Sequence, residues 1–290
     1  RRQRQMCIRD SMDTITDNEP VSTELELFGK TFKYPIFAGP VGAVSMHYSD
    51  AFNDTSYNDV LVKGCIDAGI CAFTGDGKDP SIMENATRII KENHGHGIPT
   101  VKPWSLETYL EKLNLAIDSH AFAIAMDVDA AGLPFLKGCI PPAGRMNTEQ
   151  LKEIISNTPV PFIVKGVMTV KGALKAKEAG ASAIVVSNHG GRVQDQCPAT
   201  AEVLEEIVKA VDGSMKIFVD GGLRNGVDIF KALALGADAV IVARPFVNAI
   251  YGAKEEGIQI LVDKLGSELQ DTMEMCGAKS LKDITRDMVR

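Results

Sequence analysis

The sequence predicts an eight-fold alternation of β-strands and α-helices, the (β/α)8 or TIM-barrel fold of the α/β class. Short apolar runs alternate with longer amphipathic segments, eight of each can be counted, and no linker rich in Pro, Gly or Ser divides the 290 residues. Strands that are apolar along most of their length are typical of a parallel sheet covered by helices on its faces. A doubly wound open sheet is the weaker alternative.

The predicted strands are short runs rich in β-branched and aromatic residues. They are Tyr34 to Ala38, Ile70 to Phe73, Ile98 to Lys102, Phe122 to Met126, Pro161 to Val164, Ala183 to Val186, Lys216 to Val219 and Ala239 to Ala243.

The predicted helices lie between these runs. They are Asn58 to Ala68, Ser81 to Asn93, Ser105 to Asp118, Asn147 to Ser156, Thr169 to Ala179, Ala199 to Val211, Arg224 to Leu235 and Pro245 to Leu265. Helix-start signals agree with them: Asp79-Pro80 precedes the second helix, and Asn147 with Gln150 forms a capping box at the fourth. We predict one domain over residues 1–290, with a lead-in over 1–33 and a helical tail over 266–290.

Composition excludes several classes of protein. The formal charge of −7 and the pI near 5.3 give no broad positive field to hold nucleic acid. No apolar run approaches the roughly 20 residues that span a bilayer, and the basic N-terminus lacks the apolar stretch of an export signal. The six cysteines form no CxxC pair and no metal-ligand cluster, so we expect free thiols, no metal site and a cytoplasmic location.

The chemistry of such a barrel belongs to the C-terminal ends of its strands. After the last two strands, Asp220-Gly-Gly-Leu-Arg224 and Ala243-Arg244 combine small residues with basic side chains, which is typical of a phosphate site. Two tight turns with surface arginines are the alternative. After the sixth strand, Ser187-Asn-His-Gly-Gly-Arg192 brings together an acid/base group and a guanidinium suited to a carboxylate.

Charged residues also end the fourth and fifth strands. Lys165 must either be paired or bind an anionic ligand, because an ammonium at a barrel mouth is costly without a partner. Asp127 and Asp129 share one face of their strand, since side chains repeat every second residue. Either could pair with Lys165, and one could orient His189.

The run from Pro161 to Pro245 resembles the FMN-dependent α-hydroxy-acid oxidase/dehydrogenase family, which includes glycolate oxidase, lactate oxidase and flavocytochrome b2. Ser187-Asn-His-Gly-Gly-Arg192, followed by Asp195 and Pro198-Ala-Thr, is the specific motif. The resemblance implies His189 as catalytic base, Asp129 as the carboxylate that orients it, Arg192 as the substrate-carboxylate clamp and Lys165 as a cation beside the flavin. It implies FMN contacts at Pro40, Val41, Thr74, Lys102, Lys165, Ser187, Asp220, Gly222, Arg224, Ala243 and Arg244. A homo-oligomer, commonly a tetramer, is implied as well.

The N-terminal half departs from this family. Lys102-Pro103-Trp104 stands where the family has Gln-Leu-Tyr after the third strand. After the fourth strand, where the family has a second carboxylate-binding arginine, Ala130 to Leu136 supplies none. Trp104 offers a large apolar face and an N–H donor, so we predict that it contacts the substrate with Arg192 and His189. Lys102 could instead replace the absent arginine.

The residues and the resemblance together predict an FMN enzyme that oxidises a 2-hydroxy acid to a 2-oxo acid. Two alternatives stay open at this point. One is a barrel similar to type 2 isopentenyl-diphosphate isomerase, although its glycine- and threonine-rich loop is absent where Ser187 to Arg192 stands. The other is a flavin-binding protein with little turnover.

Overall fold

The computed structural model describes residues 10–290, in which eight parallel strands close into a barrel. The predicted fold is confirmed. The lead-in up to residue 9, with Cys7, lies outside the described residues, and the other five cysteines are free thiols. Within residues 10–290, no helix combines the length and the apolar character needed to cross a membrane.

The barrel strands follow one another in chain order around the barrel, and the last one, β10, closes it against β3. They are β3 Ile36–Ala38, β4 Cys71–Thr74, β5 Ile98–Val101, β6 Ile124–Asp127, β7 Phe162–Val167, β8 Ala183–Val186, β9 Lys216–Asp220 and β10 Ala239–Val242. Each predicted strand therefore corresponds to one barrel strand. Strand β7 continues three residues beyond its predicted end, which places Lys165 inside the strand.

All helices but the first cover the outside of the barrel, and the short first helix lies at the C-terminal ends of the strands. The helices are α1 Val44–His47, α2 Asp54–Asp67, α3 Pro80–Glu92, α4 Leu106–Asp118, α5 Thr148–Ser156, α6 Val170–Glu178, α7 Thr200–Val211, α8 Gly226–Ala234 and α9 Arg244–Met275. The predicted caps are confirmed: Asp79 accepts from the Ser81 amide, and Asn147 and Gln150 form a reciprocal capping box. Helix α9 is longer than predicted and is interrupted at Ala253 and Lys254.

Two helix starts differ from the predicted ones by more than one residue, because unrecognised residues cap them. Helix α2 begins four residues earlier than predicted, at Asp54, since Asn53 and Ser56 form a capping box. Helix α8 begins at Gly226, because the Asn225 side chain accepts from the Asp228 amide. The predicted helical tail is helical only to Met275, and two short 3-10 turns follow it.

A hairpin in the lead-in closes the N-terminal end of the barrel. Strands β1 Leu25–Leu27 and β2 Lys30–Phe32 pair antiparallel, and their Leu27 and Phe32 side chains join the cluster that fills the barrel interior. The centre of the Phe32 ring lies 5.0 Å from that of Phe37 and 5.9 Å from that of Phe122, which lies two residues before β6. The barrel is therefore solid at this end, and a ligand can enter only from the other.

We expect Phe32→Ala to destabilise the barrel, because it opens a cavity beneath residues that have almost no exposed surface. The loss should be about 3–5 kcal/mol in the free energy of unfolding, measured by urea denaturation. Ile260→Ala is the matched control, since Ile260 is 61% exposed and its truncation should change stability by about 0.5 kcal/mol or less. Equal shifts in the two variants would contradict the plugging role of the hairpin.

Candidate active site

A cavity of about 910 Å³ opens at the C-terminal ends of the strands. It is lined by residues that follow strands on all sides of the barrel, as the fold predicts. The predicted site residues that line it are Pro40, Val41, Lys102, Lys165, His189, Arg192, Asp220, Gly222, Arg224, Ala243 and Arg244. Four others do not line it: Asp129 and Ser187 lie directly behind lining residues, and Thr74 and Trp104 are buried elsewhere in the rim.

His189 and Asp129 form a hydrogen-bonded pair. The His189 Nδ1 lies 3.1 Å from Asp129 Oδ1, although sixty residues separate them in sequence. Burial raises the pKa of Asp129, but the Lys165 ammonium and the hydrogen bond to His189 outweigh it and hold that pKa below its usual range. An ionised Asp129 favours the proton on Nδ1, which leaves Nε2 of a neutral His189 as the acceptor.

The backbone around His189 fixes the ring. His189 has a left-handed φ of 55°, and its amide donates to Ser187 Oγ at 3.1 Å. The Asn188 side chain accepts from the Gly191 amide and donates to the Pro198 carbonyl, which ties the loop to the start of α7. The motif predicted from the sequence thus builds a rigid turn as well as supplying the imidazole.

Lys165 is the central cation of the site. Its Nζ lies 3.2 Å from Ser187 Oγ, 3.8 Å from Asp129 and 3.9 Å from Asp220. Burial lowers the pKa of Lys165, but Asp129, Asp220 and Asp127 more than reverse this, so the pKa lies above its usual value. The predicted pairing with Asp129 is therefore present, and Lys165 also lines the cavity.

Gly166 allows Asp129 to approach Lys165. Strand β7 has an irregular register between Lys165 and Val167, and Gly166 there has a φ of 102°. A Cβ added at Gly166 would lie 2.5 Å from both Cβ and Cγ of Asp129. Because Gly has no Cβ and accepts this φ, it is the residue that fits between the strand end and the carboxylate.

The two turns predicted to hold phosphate differ in whether the backbone amides at the start of the following helix are already hydrogen-bonded to side chains. The first-turn amides around α8 are already bonded, since Arg224 N donates to Asp228 and Gly226 N donates to Glu268. Helix α9 has no side-chain cap at Ala243. The positive end of α9 and the nearby guanidinium of Arg244 therefore form the better anion site.

Sequence reasoning missed the role of Asp76, which organises the rim after β4. Its carboxylate accepts from the Lys102 amide at 3.1 Å, the Trp104 indole at 2.6 Å and the Lys112 ammonium at 2.5 Å. The Lys112 ammonium also lies 5.0 Å from the centre of the Trp104 ring. The signal for this network was a carboxylate after one strand and a tryptophan after the next.

This network corrects the prediction for Trp104. The indole is 2% exposed, its N–H is bonded to Asp76, and it does not line the cavity. A buried indole with a satisfied N–H stabilises the rim and has no surface left for a substrate. Large apolar side chains that do line the cavity include Met46, Leu133, Phe135 and Ile140.

Comparison with known proteins identifies the family. Residues 141–290, just over half of the chain, match the FMN-dependent dehydrogenase family. The chain belongs to this family. It is 48% identical over 135 residues to a peroxisomal (S)-2-hydroxyacid oxidase of Arabidopsis thaliana and 43% identical over 141 residues to an L-lactate oxidase of Roseobacter. These matches cover 47% and 49% of the chain but only 37% and 38% of the relatives.

Solved structures of mandelate oxidase match a larger part of the chain. One with (S)-2-phenylpropionate superposes with a TM-score of 0.81 at 27% identity, over 98% of this chain and 86% of that one. The family resemblance found in the C-terminal half of the sequence therefore extends, as a fold, through the N-terminal half.

The residues fit the FMN of this family. Gly221 and Gly222 both have positive φ, and a Cβ added at Gly222 would meet nothing within 4 Å, so a phosphate or ribityl chain can approach the backbone there. Three polar atoms on cavity-lining residues, Thr100 Oγ1, Asp127 Oδ1 and Asp220 Oδ1, are buried without a hydrogen-bond partner among the described residues. Unpaired buried polar atoms are costly, so they indicate a polar ligand.

We expect Lys165→Met to destabilise the protein, because it leaves Asp129 and Asp220 without their cation. Breaking a buried ion pair typically costs about 3–5 kcal/mol. Without Lys165 the pKa of each carboxyl rises in the folded state, whereas in the unfolded state it stays near 4. The folded carboxylates therefore take up protons first as the pH falls, and the stability loss should be smaller at pH 5 than at pH 7.

Urea denaturation of the variant and the wild type at both pH values measures this effect. Lys216→Met is the matched control, since Lys216 pairs with Asp238 at the surface and the pair should contribute about 1 kcal/mol or less. A Lys165→Met loss no larger than that of the control, or one that grows at pH 5, would contradict the assigned charge pairing.

Proposed function

We propose that this chain is an FMN-dependent oxidoreductase that converts a 2-hydroxy acid to a 2-oxo acid. The observation that carries the proposal is the His189–Asp129 pair at 3.1 Å, on the same cavity as the Arg192 guanidinium and the fully buried Lys165. A base, a carboxylate-binding cation and a cation for developing negative charge are the three groups that such an oxidation needs. The hydroxy-acid oxidases among the relatives support it.

Each of these residues has a distinct task. Arg192 binds the substrate carboxylate, and His189 Nε2 takes up one of the two protons that the oxidation releases. Asp129 stabilises the imidazolium that results and keeps the ring oriented. FMN, when bound, would supply the acceptor for the two electrons and the second proton of this oxidation. Lys165, whose ammonium is held charged by the carboxylates around it, would place a fixed positive charge at the flavin.

A flavin-binding barrel with little turnover is the second candidate function. It is favoured by one observation, that no arginine from the connection between β6 and α5 lines the cavity: the arginines lining it among residues 10–290 are Arg192, Arg224 and Arg244. Anaerobic measurement of flavin reduction by 2-hydroxy acids separates the two candidates. A homo-oligomeric assembly and a cytoplasmic location stay predictions from the sequence.

We expect His189→Gln to bind FMN as the wild type does but to reduce it about 10²- to 10⁴-fold more slowly, because the general base is lost. Anaerobic stopped-flow absorbance with a panel of 2-hydroxy acids measures the bleaching of the flavin. His120→Gln is the control. His120 is exposed just after the C-terminal end of α4 and does not line the cavity, so this variant should leave the rate unchanged. No bleaching of the wild type by any acid of the panel would support the second candidate.

We also expect a bulky apolar 2-hydroxy acid to reduce the flavin faster than lactate. This chain has one carboxylate-binding arginine, Arg192, where the family has two, and the lost hydrogen bond should weaken the binding of a small acid about 10- to 150-fold. A large apolar group on the substrate can recover part of this affinity by packing against Phe135 and Leu133. Phe135→Ala should narrow the difference between an aromatic acid and lactate in the same assay. Equal or better turnover of lactate by the wild type would refute this preference.

A further inference from the structure

Three charged side chains form a row across neighbouring strands of the barrel. Asp127 at the end of β6 pairs in register with Lys165 of β7, and Lys102 follows Val101, whose partner on β6 is Met126. Lys102, Asp127 and Lys165 therefore stand side by side with signs that alternate along the rim, and all three line the cavity. In terms of hydrogen bonding the row reads donor, acceptor, donor.

The middle member of this row has an unused acceptor. Asp127 Oδ2 accepts from the Lys102 ammonium at 3.2 Å, but its Oδ1 is buried and accepts no hydrogen bond from the described residues. The Asp127 side chain is only 5% exposed, and burial raises its pKa even though Lys102, His189 and Lys165 act against this. A carboxylate oxygen held in this way is costly unless a ligand donates to it.

The ends of the row are held in place by other contacts. Asp76 accepts from the backbone amide of Lys102, which fixes the end of β5. Lys165 is fixed by Ser187 and by two further carboxylates, Asp129 and Asp220. The row is therefore preorganised, with an acceptor at its centre flanked by two ammonium groups.

The barrel places this row across from the phosphate turns. Strands β5 and β6 lie on the side of the barrel opposite β9 and β10, whose ends carry Gly222 and Arg244. A cofactor that binds its phosphate at those turns and extends across the mouth would bring its far end to the row. The pyrimidine edge of a flavin presents a carbonyl, an imide N–H and a second carbonyl, which is the complement of donor, acceptor, donor.

We propose that Asp127 accepts the imide N–H of the flavin through Oδ1, with Lys102 and Lys165 donating to the carbonyls on either side. This rests on the proposed function only in requiring FMN at the site. The alternative for Lys102, a second cation for the substrate carboxylate, fits less well, because its side chain is 10% exposed and bonded to Asp127, whereas Arg192 lies at the exposed mouth.

The test compares FMN with 3-methyl-FMN, in which a methyl group replaces the imide hydrogen. Protein stripped of flavin is titrated with each, and quenching of flavin fluorescence gives the two dissociation constants. The wild type should bind 3-methyl-FMN about 10- to 150-fold more weakly, the usual effect of losing a hydrogen bond to a charged group. Asp127→Ala, which removes the acceptor and makes room for the methyl group, should reduce this ratio to about threefold or less.

Thr100→Val is the matched control, because Thr100 lines the same cavity and its Oγ1 is also buried without a partner. It should keep the wild-type ratio. If Asp127→Ala does not fold, Asp127→Asn replaces it: the amide retains an uncharged acceptor, and the ratio should fall but stay above threefold. Lys102→Met should weaken FMN binding while leaving the affinity for oxalate, a carboxylate inhibitor probe, unchanged.

Several outcomes would overturn the proposal. Equal affinity of the wild type for the two flavins would show that no protein group accepts a hydrogen bond from the imide N–H. A ratio that persists in Asp127→Ala indicates a steric clash with another group, and a ratio abolished by Thr100→Val assigns the acceptor to Thr100. Loss of oxalate binding alone in Lys102→Met assigns that ammonium to the substrate. Failure of the wild type to bind FMN at all would instead refute the proposed function.

Discussion

The site depends on one constraint, which is that a fully buried ammonium at the end of β7 must stay charged. Lys165 meets it with carboxylates from two other strand ends, Asp129 after β6 and Asp220 of β9, and with the hydroxyl of Ser187. Asp129 can serve both Lys165 and His189 because its two oxygens point to different partners. The charge pairing that stabilises the rim therefore also orients the imidazole, so stability and chemistry share the same atoms.

Backbone geometry makes this sharing possible. The irregularity in β7 turns the chain at Gly166, where a side chain would overlap Asp129. His189 and Gly190 both have left-handed φ values, which bring the imidazole back over the strand ends. Strained backbone at these positions is offset by the hydrogen bonds of Ser187 and Asn188 that hold the turn. The hairpin at the opposite end fills the barrel, so the rim rests on a packed core.

The sequence alone predicted the barrel and the convergence of His189, Asp129, Lys165 and Arg192, because strand order places all strand ends on one rim. It could not predict how a rim side chain is directed. Trp104 follows a strand as a cavity residue would, yet its indole bonds to Asp76, twenty-eight positions earlier. Periodicity carries no information on such long-range polar contacts. The hairpin β1–β2 was missed because three-residue strands are too short to show alternation.

The two halves of the chain divide the site between them. Residues 141–290 carry the family match and supply His189, Arg192, Lys165, Asp220 and the phosphate turns, whereas the earlier half supplies Asp76, Asp127, Asp129 and Lys102. Its buried charges form pairs, since Lys102 is paired with Asp127 and Lys112 with Asp76. A buried charge is tolerated only with its partner, so neither member of a pair can be replaced by a neutral residue alone without leaving the other uncompensated. The departures at Lys102 and Trp104 are therefore each tied to a buried carboxylate, because Lys102 bonds to Asp127 and the Trp104 indole bonds to Asp76.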